Sequence, residues 1–98
     1  MATFFMFGRY SPSSAHKISS ARTEEVRRLI ESLGGRVKDI YALLGEYDMV
    51  IIAELPRMAE AMQASVALKS LTDISFFTAA AISIEEFDSM FGDSPAGR

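Results

Sequence analysis

Four short apolar runs carry hydrocarbon on both of their alternating faces, yet only two long amphipathic stretches accompany them, and that imbalance limits what the chain can become. Residues 2–9 (ATFFMFGR) are dense in aromatic side chains and too short for a stable helix, so they read as a strand. One face holds Ala2, Phe4, Met6 and Gly8, the other Thr3, Phe5, Phe7 and Arg9. A strand apolar on both faces belongs in the middle of its sheet. Ser11-Pro12-Ser13-Ser14 then turns the chain. Ile18, Arg22, Val26, Leu29, Ile30 and Leu33 recur at helical spacing and predict a helix over 21–33. Ser19-Ser20 is either its N-cap or a kink, and Gly34-Gly35 ends it.

Residues 37–44 and 47–55 are two strand-like runs around Gly45-Glu46, a pair suited to a two-residue type II′ hairpin turn. In that register Leu44, Ala42 and Ile40 meet Tyr47, Met49 and Ile51, while Leu43, Tyr41 and Asp39 meet Asp48, Val50 and Ile52. Pro56 opens a second helix over 57–71, because its missing N–H costs nothing in a first turn. Met58, Ala61, Met62, Ser65, Leu68 and Leu71 form the predicted buried stripe, and Ala61, Ala64 and Ala67 let it pack closely. Thr72-Asp73 leads to a fourth strand over 74–82, apolar on both faces. Ser83 and Glu86 have capping-box spacing for a short last helix, 84–91, bearing Ile84, Phe87, Met90 and Phe91. Residues 92–98 read as a disordered tail, and residues 1–91 as a single domain.

The order βαββαβ with right-handed crossovers gives an α+β, ferredoxin-like fold: a four-stranded antiparallel sheet with two helices on one face. Two helices cover one face only. The other would carry Phe5 and Phe7 (or Phe4 and Met6), with Tyr41, Leu43, Val50 and Ile52. Leaving about eight such side chains in water forgoes roughly 1.5–3 kcal/mol each. Sheet-to-sheet pairing of two copies, a dimeric α+β barrel, is the economical remedy; folding of the last helix over the sheet is the other.

Composition narrows the partners. A net charge of −3 argues against a nucleic-acid backbone, which needs concentrated Lys and Arg. The absence of cysteine excludes disulfides, thiolate catalysis and thiolate metal sites. No basic segment precedes the short apolar N-terminal run, and no stretch approaches the ~20 apolar residues of a membrane span. The expectation is a cytoplasmic protein that binds neither nucleic acid nor membrane.

The setting LLGEYDMVII, together with Arg22-Thr23, Leu33-Gly34-Gly35 and Tyr41-Ala42, resembles the GYD domain family, whose glycine, tyrosine and aspartate fall here on Gly45, Tyr47 and Asp48. The resemblance runs from about Ala2 to Phe87 and implies a small stand-alone dimeric α+β barrel. More distantly, the hairpin is similar to the effector-binding domain of Lrp/AsnC regulators, which implies amino-acid binding at subunit interfaces. Pro56-Arg57 stands where many family members have Pro-Asp, so an acid that would favour the helix N-terminus is missing.

Arg22, Tyr41, Tyr47 and Asp48 are the candidate ligand-binding residues, with Gly45 and Glu46 as the turn. Arg22 lies on the stripe Ile18–Arg22–Val26, where a guanidinium needs a carboxylate, either that of Asp48 or a ligand's; alternatively it snorkels at the helix margin. Asp48 is an acid in an apolar strand face or a hairpin residue accepting turn N–H groups. Tyr41 and Tyr47 either offer hydroxyls to a ligand between helices and sheet or pack with satisfied hydroxyls. His16, the one histidine, reads as a surface residue, and Glu24-Glu25 as a first-turn acidic pair. No cofactor, metal or catalytic constellation is indicated. The readings that remain are a small-metabolite-binding or sensing homo-oligomer, a small cofactor-independent enzyme of the kind found in the antibiotic-biosynthesis monooxygenase group, and a structural assembly part.

Overall fold

The computed structural model describes residues 1–92 in the order β1 (Ala2–Tyr10), α1 (Pro12–Ala15), α2 (Ser20–Ser32), β2 (Arg36–Ala42), β3 (Met49–Leu55), α3 (Met58–Thr72), β4 (Ile74–Ala81) and α4 (Ile84–Phe91). The tail expected over 92–98 lies, from residue 93 onward, outside the described residues. The sheet has the order β2-β3-β1-β4 with every neighbour antiparallel, the ferredoxin-like arrangement.

Alternation along β1 decides which side becomes the core. Phe4 and Met6 point to the helices and join Met49, Ile51, Ala53, Leu55 and Ile74 beneath Val26 and Ile30 of α2 and Ala61, Ala64 and Leu68 of α3. Phe5 and Phe7 therefore lie on the opposite face, beside Ile52 and Val50 of β3 and Ala79 and Phe77 of β4. The sequence left that choice open; the helices settle it.

Helix boundaries follow their caps. Ser19 is an N-cap rather than a kink: its hydroxyl accepts the Arg22 N–H at 3.0 Å. Ile18, expected on the buried stripe, precedes the helix and is exposed. Gly34 takes φ +84°, the left-handed stop expected after α2. The Ser11–Ser14 turn closes on itself as the single-turn α1, with Ser11 and Ser14 capping each other reciprocally.

Two expectations need correction. Pro56 sits outside α3, since Arg57 is the N-cap. The buried stripe of α3 is Ala61, Ala64, Leu68 and Thr72, whereas Met58, Met62 and Val66 are more than half exposed. Small side chains let the helix close on the sheet, and the Ser65 and Thr78 hydroxyls, 2.6 Å apart, tie α3 to β4. The bulky side chains are left at the flank.

The hairpin departs further. Its register is as expected, with Ala42 opposite Met49, Tyr41 opposite Val50, Ile40 opposite Ile51 and Asp39 opposite Ile52. A bulge between Val37 and Asp39 was not foreseen. No two-residue turn forms at Gly45-Glu46: β2 stops at Ala42, β3 starts at Met49, and 43–48 is a loop closed by the Leu43 N–H on the Asp48 carbonyl at 2.8 Å. Two competing attractions open it. The Tyr47 ring turns back over the sheet against Phe7 (5.1 Å between centroids) and Phe77 (5.6 Å). Asp48 pairs with β1 instead, its N–H donating to the Gly8 carbonyl at 2.9 Å.

The helix-free face is consequently less bare than expected. Tyr47 helps cover it, Val50 is buried, and Phe5, Phe7 and Ile52 are half-buried. Tyr41 (52% exposed) and Phe77 (50%) remain open. Helix α4, capped by Ser83 on the Glu86 N–H, does not fold over this face: it buries no side chain and touches the other elements only marginally.

Candidate functional site

Where α2 meets the β2–β3–β1–β4 end that carries Tyr10, the helix layer and the sheet part and leave a cavity of about 200 Å³. Val26, Ile40, Met49 and Ile74 make its apolar wall; Tyr10 and Tyr41 stand at its sides. The first turn of α2 contributes Ser19, Arg22 and Thr23. Arg22 supplies the one formal charge among these lining residues.

Half-buried Arg22 is held from two directions. Its Nη1 donates to the Ser14 carbonyl at 2.6 Å, and its guanidinium lies over the Tyr10 ring, 5.5 Å from the centroid. The short helix α1 thus serves as a bracket that presents a carbonyl to the arginine. Among the described residues no carboxylate lies within ion-pair distance of Arg22, so the expected Asp48 partner is not there.

Asp48 has other work. Its Oδ2 accepts the Tyr10 N–H at 2.8 Å, extending the β1–β3 ladder by one rung made from a side chain. Of the two alternatives open for this acid, the backbone-accepting one matches the geometry, although the N–H belongs to β1 rather than to the turn. Tyr47 lies on the helix-free face, where Arg9 covers its ring at 5.0 Å and pairs with Glu46 at 3.2 Å. The structure therefore brings Arg22 to the cavity, leaves Tyr41 at its border although that strand position pairs with Val50 of the helix-free face, and places Tyr47, Gly45 and Glu46 away from it. Asp48 acts on the cavity at one remove, through the backbone of Tyr10.

Tyr10 and Ser14 were missed in the sequence. The first was readable: Phe4, Met6, Gly8 and Tyr10 share one face of β1. The second was not, because a carbonyl leaves no mark in the residue type.

The strongest electrostatic perturbation flanks the same end of the sheet. Asp73, at a left-handed φ of 58° after α3, accepts hydrogen bonds from Ser11 and Ser13, both at 2.7 Å, and faces Lys69 at 3.2 Å. The two hydroxyls and then the ammonium hold its carboxyl at about 2, against an ordinary 3.8. Elsewhere, Arg36 lowers Glu54 through a direct hydrogen bond, and Arg57 lowers Glu60 likewise. Both pairs are surface features remote from the cavity lining. Among the described residues no group of three or more His, Cys, Asp or Glu side chains converges as metal ligands would, and no helix is long and apolar enough to cross a membrane.

Sheet order, paired helices on one face and a lone guanidinium in an apolar recess define a small α+β module of the ferredoxin-like kind. Residues 4–91 match the GYD domain family, and the chain belongs to it. Among solved structures it is similar to FFRP-DM1 (21% identity, TM-score 0.60), covering 84% of this chain and all of that one. It is also similar to the Mycobacterium tuberculosis leucine response regulatory protein LrpA (8%, 0.56) and to an AsnC family transcriptional regulator from Agrobacterium tumefaciens (16%, 0.56). The chain spans about half the length of those two regulators, 51% and 50%. At such identities the likeness shows the fold. Among curated proteins none matches the sequence significantly.

Proposed function

We propose that this protein is a homo-oligomeric module that binds and senses a small molecule in the cavity beside α2. The observation that carries the reading is Arg22. A guanidinium offers five donors, and among the described residues only Nη1 has a protein acceptor. A half-buried cation over an apolar recess, aimed by an aromatic ring and a helix carbonyl, is the pattern of a few polar groups orienting a ligand within hydrocarbon. A cavity of about 200 Å³ suits a small metabolite rather than a drug-sized or polymeric one. The likeness to regulator folds supports a sensing role by analogy alone.

Self-association rests on the helix-free face. Four strands about 4.8 Å apart and about eight residues long present roughly 500 Å² in projection, and side chains standing on them expose more. A standard interface takes about 800 Å² from each partner. Ile84, Phe87, Met90 and Phe91 of α4 are exposed as well and form a second apolar surface. An eight-residue helix is also too short to be stable unless something packs on it. A second copy of this chain satisfies both surfaces.

Native mass spectrometry tests both halves. The expected result is a dimer or higher oligomer that carries a small molecule, with the molecule lost in Arg22→Ala and the oligomer weakened in Phe77→Lys. A monomer at micromolar concentration refutes the assembly. Undiminished small-molecule retention in Arg22→Ala refutes the binding site.

A further inference from the structure

The cavity's charge pattern says more than that something small enters it. We infer, building on the binding role proposed above, that the ligand is a small organic acid with an apolar body and no ammonium group. Its carboxylate would sit on Arg22, and its body among Val26, Ile40, Met49 and Ile74.

Three observations support an acid. Arg22 is the lone formal charge among the residues that line the cavity, and with Nη1 engaged by Ser14 it keeps Nε and Nη2 for a carboxylate. The same side chain belongs to the first turn of α2, whose positive dipole end borders the cavity through Ser19 and Thr23. The hydroxyl of Ser19 is turned inward to the helix, accepting the Arg22 N–H, and that of Thr23 donates to the Ser19 carbonyl at 3.3 Å. Neither hydroxyl competes for the guanidinium.

A second consideration removes the amino acids. An α-amino acid brings an ammonium group within two bonds of its carboxylate, so both charges would enter together. No acidic residue lines the cavity. Asp48, tied to one wall by the Tyr10 N–H on its Oδ2, is not itself a lining residue. An ammonium group there would lose water with no counter-charge, and a desolvated unpaired cation is strongly disfavoured. The amine-free acid keeps the favourable contact with Arg22 and avoids that cost. The cavity limits the body to a short aliphatic or single-ring group.

Matched compounds decide the matter. Butyrate, isocaproate and hydrocinnamate are titrated into the intact oligomer alongside their 2-amino counterparts (2-aminobutyrate, leucine, phenylalanine) and their amides, with binding followed by calorimetry and thermal shift. At least one acid is expected to bind about tenfold or more tightly than both its amino and its amide analogue, a difference of one charge-assisted contact. Arg22→Gln is expected to weaken that acid about ten- to hundredfold, and Ser14 and Tyr10 lose their cation as well, so binding is compared at a temperature where the unliganded variant is fully folded. Binding of an amino acid as tight as its parent acid, or of the amide as tight as the acid, overturns the ligand class but leaves a small-molecule site in place. Acid binding indifferent to Arg22→Gln overturns the assigned position. If no compound binds and native mass spectrometry finds no bound molecule, the sensing role itself falls, and this inference with it.

Discussion

Replacing Asp48 with alanine separates a structural acid from one that contacts ligand. The change removes the acceptor from the Tyr10 N–H, now 2.8 Å from Oδ2, and leaves a donor at the end of β1 without its rung. Hydrogen bonds to charged groups contribute about 1.5–3 kcal/mol, and because both residues are only half-buried, water recovers part of this, so we expect a loss of about 1–2 kcal/mol. For a domain near this size each kcal/mol shifts the melting temperature by roughly 4–8 °C, which places the drop at roughly 5–15 °C. The Asp48→Asn variant retains an oxygen acceptor without the charge, and should cost less than half as much.

The assay is thermal unfolding followed by circular dichroism at one fixed protomer concentration, since association couples to stability. Isocaproate-type ligands should still bind Asp48→Asn, because the carboxylate acts on the cavity only by holding the Tyr10 backbone. Two results would refute the reasoning. If Asp48→Ala melts within about 2 °C of the wild type, far less than a lost charge-assisted bond implies, the side-chain rung carries nothing. If Asp48→Asn is as damaging as Asp48→Ala, the charge itself is needed, and Asp48 belongs to the site chemistry.

Acid should destabilise the protein in a specific window. The Asp73 carboxyl is held at about 2 rather than 3.8, so its stabilisation is fully present above the ordinary value and is lost as pH falls from about 4 toward 2. A Ser11→Ala, Ser13→Ala double variant, melted across that range, should show a shallower acid dependence; an unchanged profile would count against the two hydroxyls as its cause. Gly35→Ala should lower the urea midpoint by the equivalent of about 1–3 kcal/mol, because an added Cβ would collide with the Glu54 carbonyl oxygen and crowd the Leu55 side chain. An unaltered midpoint would mean that β3 does not approach the start of β2 so closely.

The residues that matter were legible to different depths. Arg22 stood out because a cation at helical spacing between Ile18 and Val26 demands a partner, and the structure does give it one, the Ser14 carbonyl, though not a carboxylate. Strand pairing set Tyr41 opposite Val50, on the helix-free side, and that pairing is found; that Tyr41 also borders the cavity comes from its place near the end of β2, which pairing does not convey. Tyr47 was misplaced, because hairpin register assumed a tight turn and the ring's gain from Phe7 and Phe77 lies on other strands altogether. The α3 stripe went astray for a related reason. Hydrophobicity ranked Met58 and Met62 as core, but closeness of approach to β4 favoured alanine.

Order and type of the elements were set by local chemistry: alternating apolar runs, the Ser19 and Ser83 caps and the Gly34 stop act over a few residues and can be read along the chain. Those signals also required a sheet with too few helices to cover it. What only the tertiary structure decided is which side of β1 the helices take, how Asp48 and Tyr47 are spent, and that α1 offers its carbonyl to Arg22. Each of these is a competition among partners distant in sequence, and its outcome depends on distances that exist only once the layers have closed.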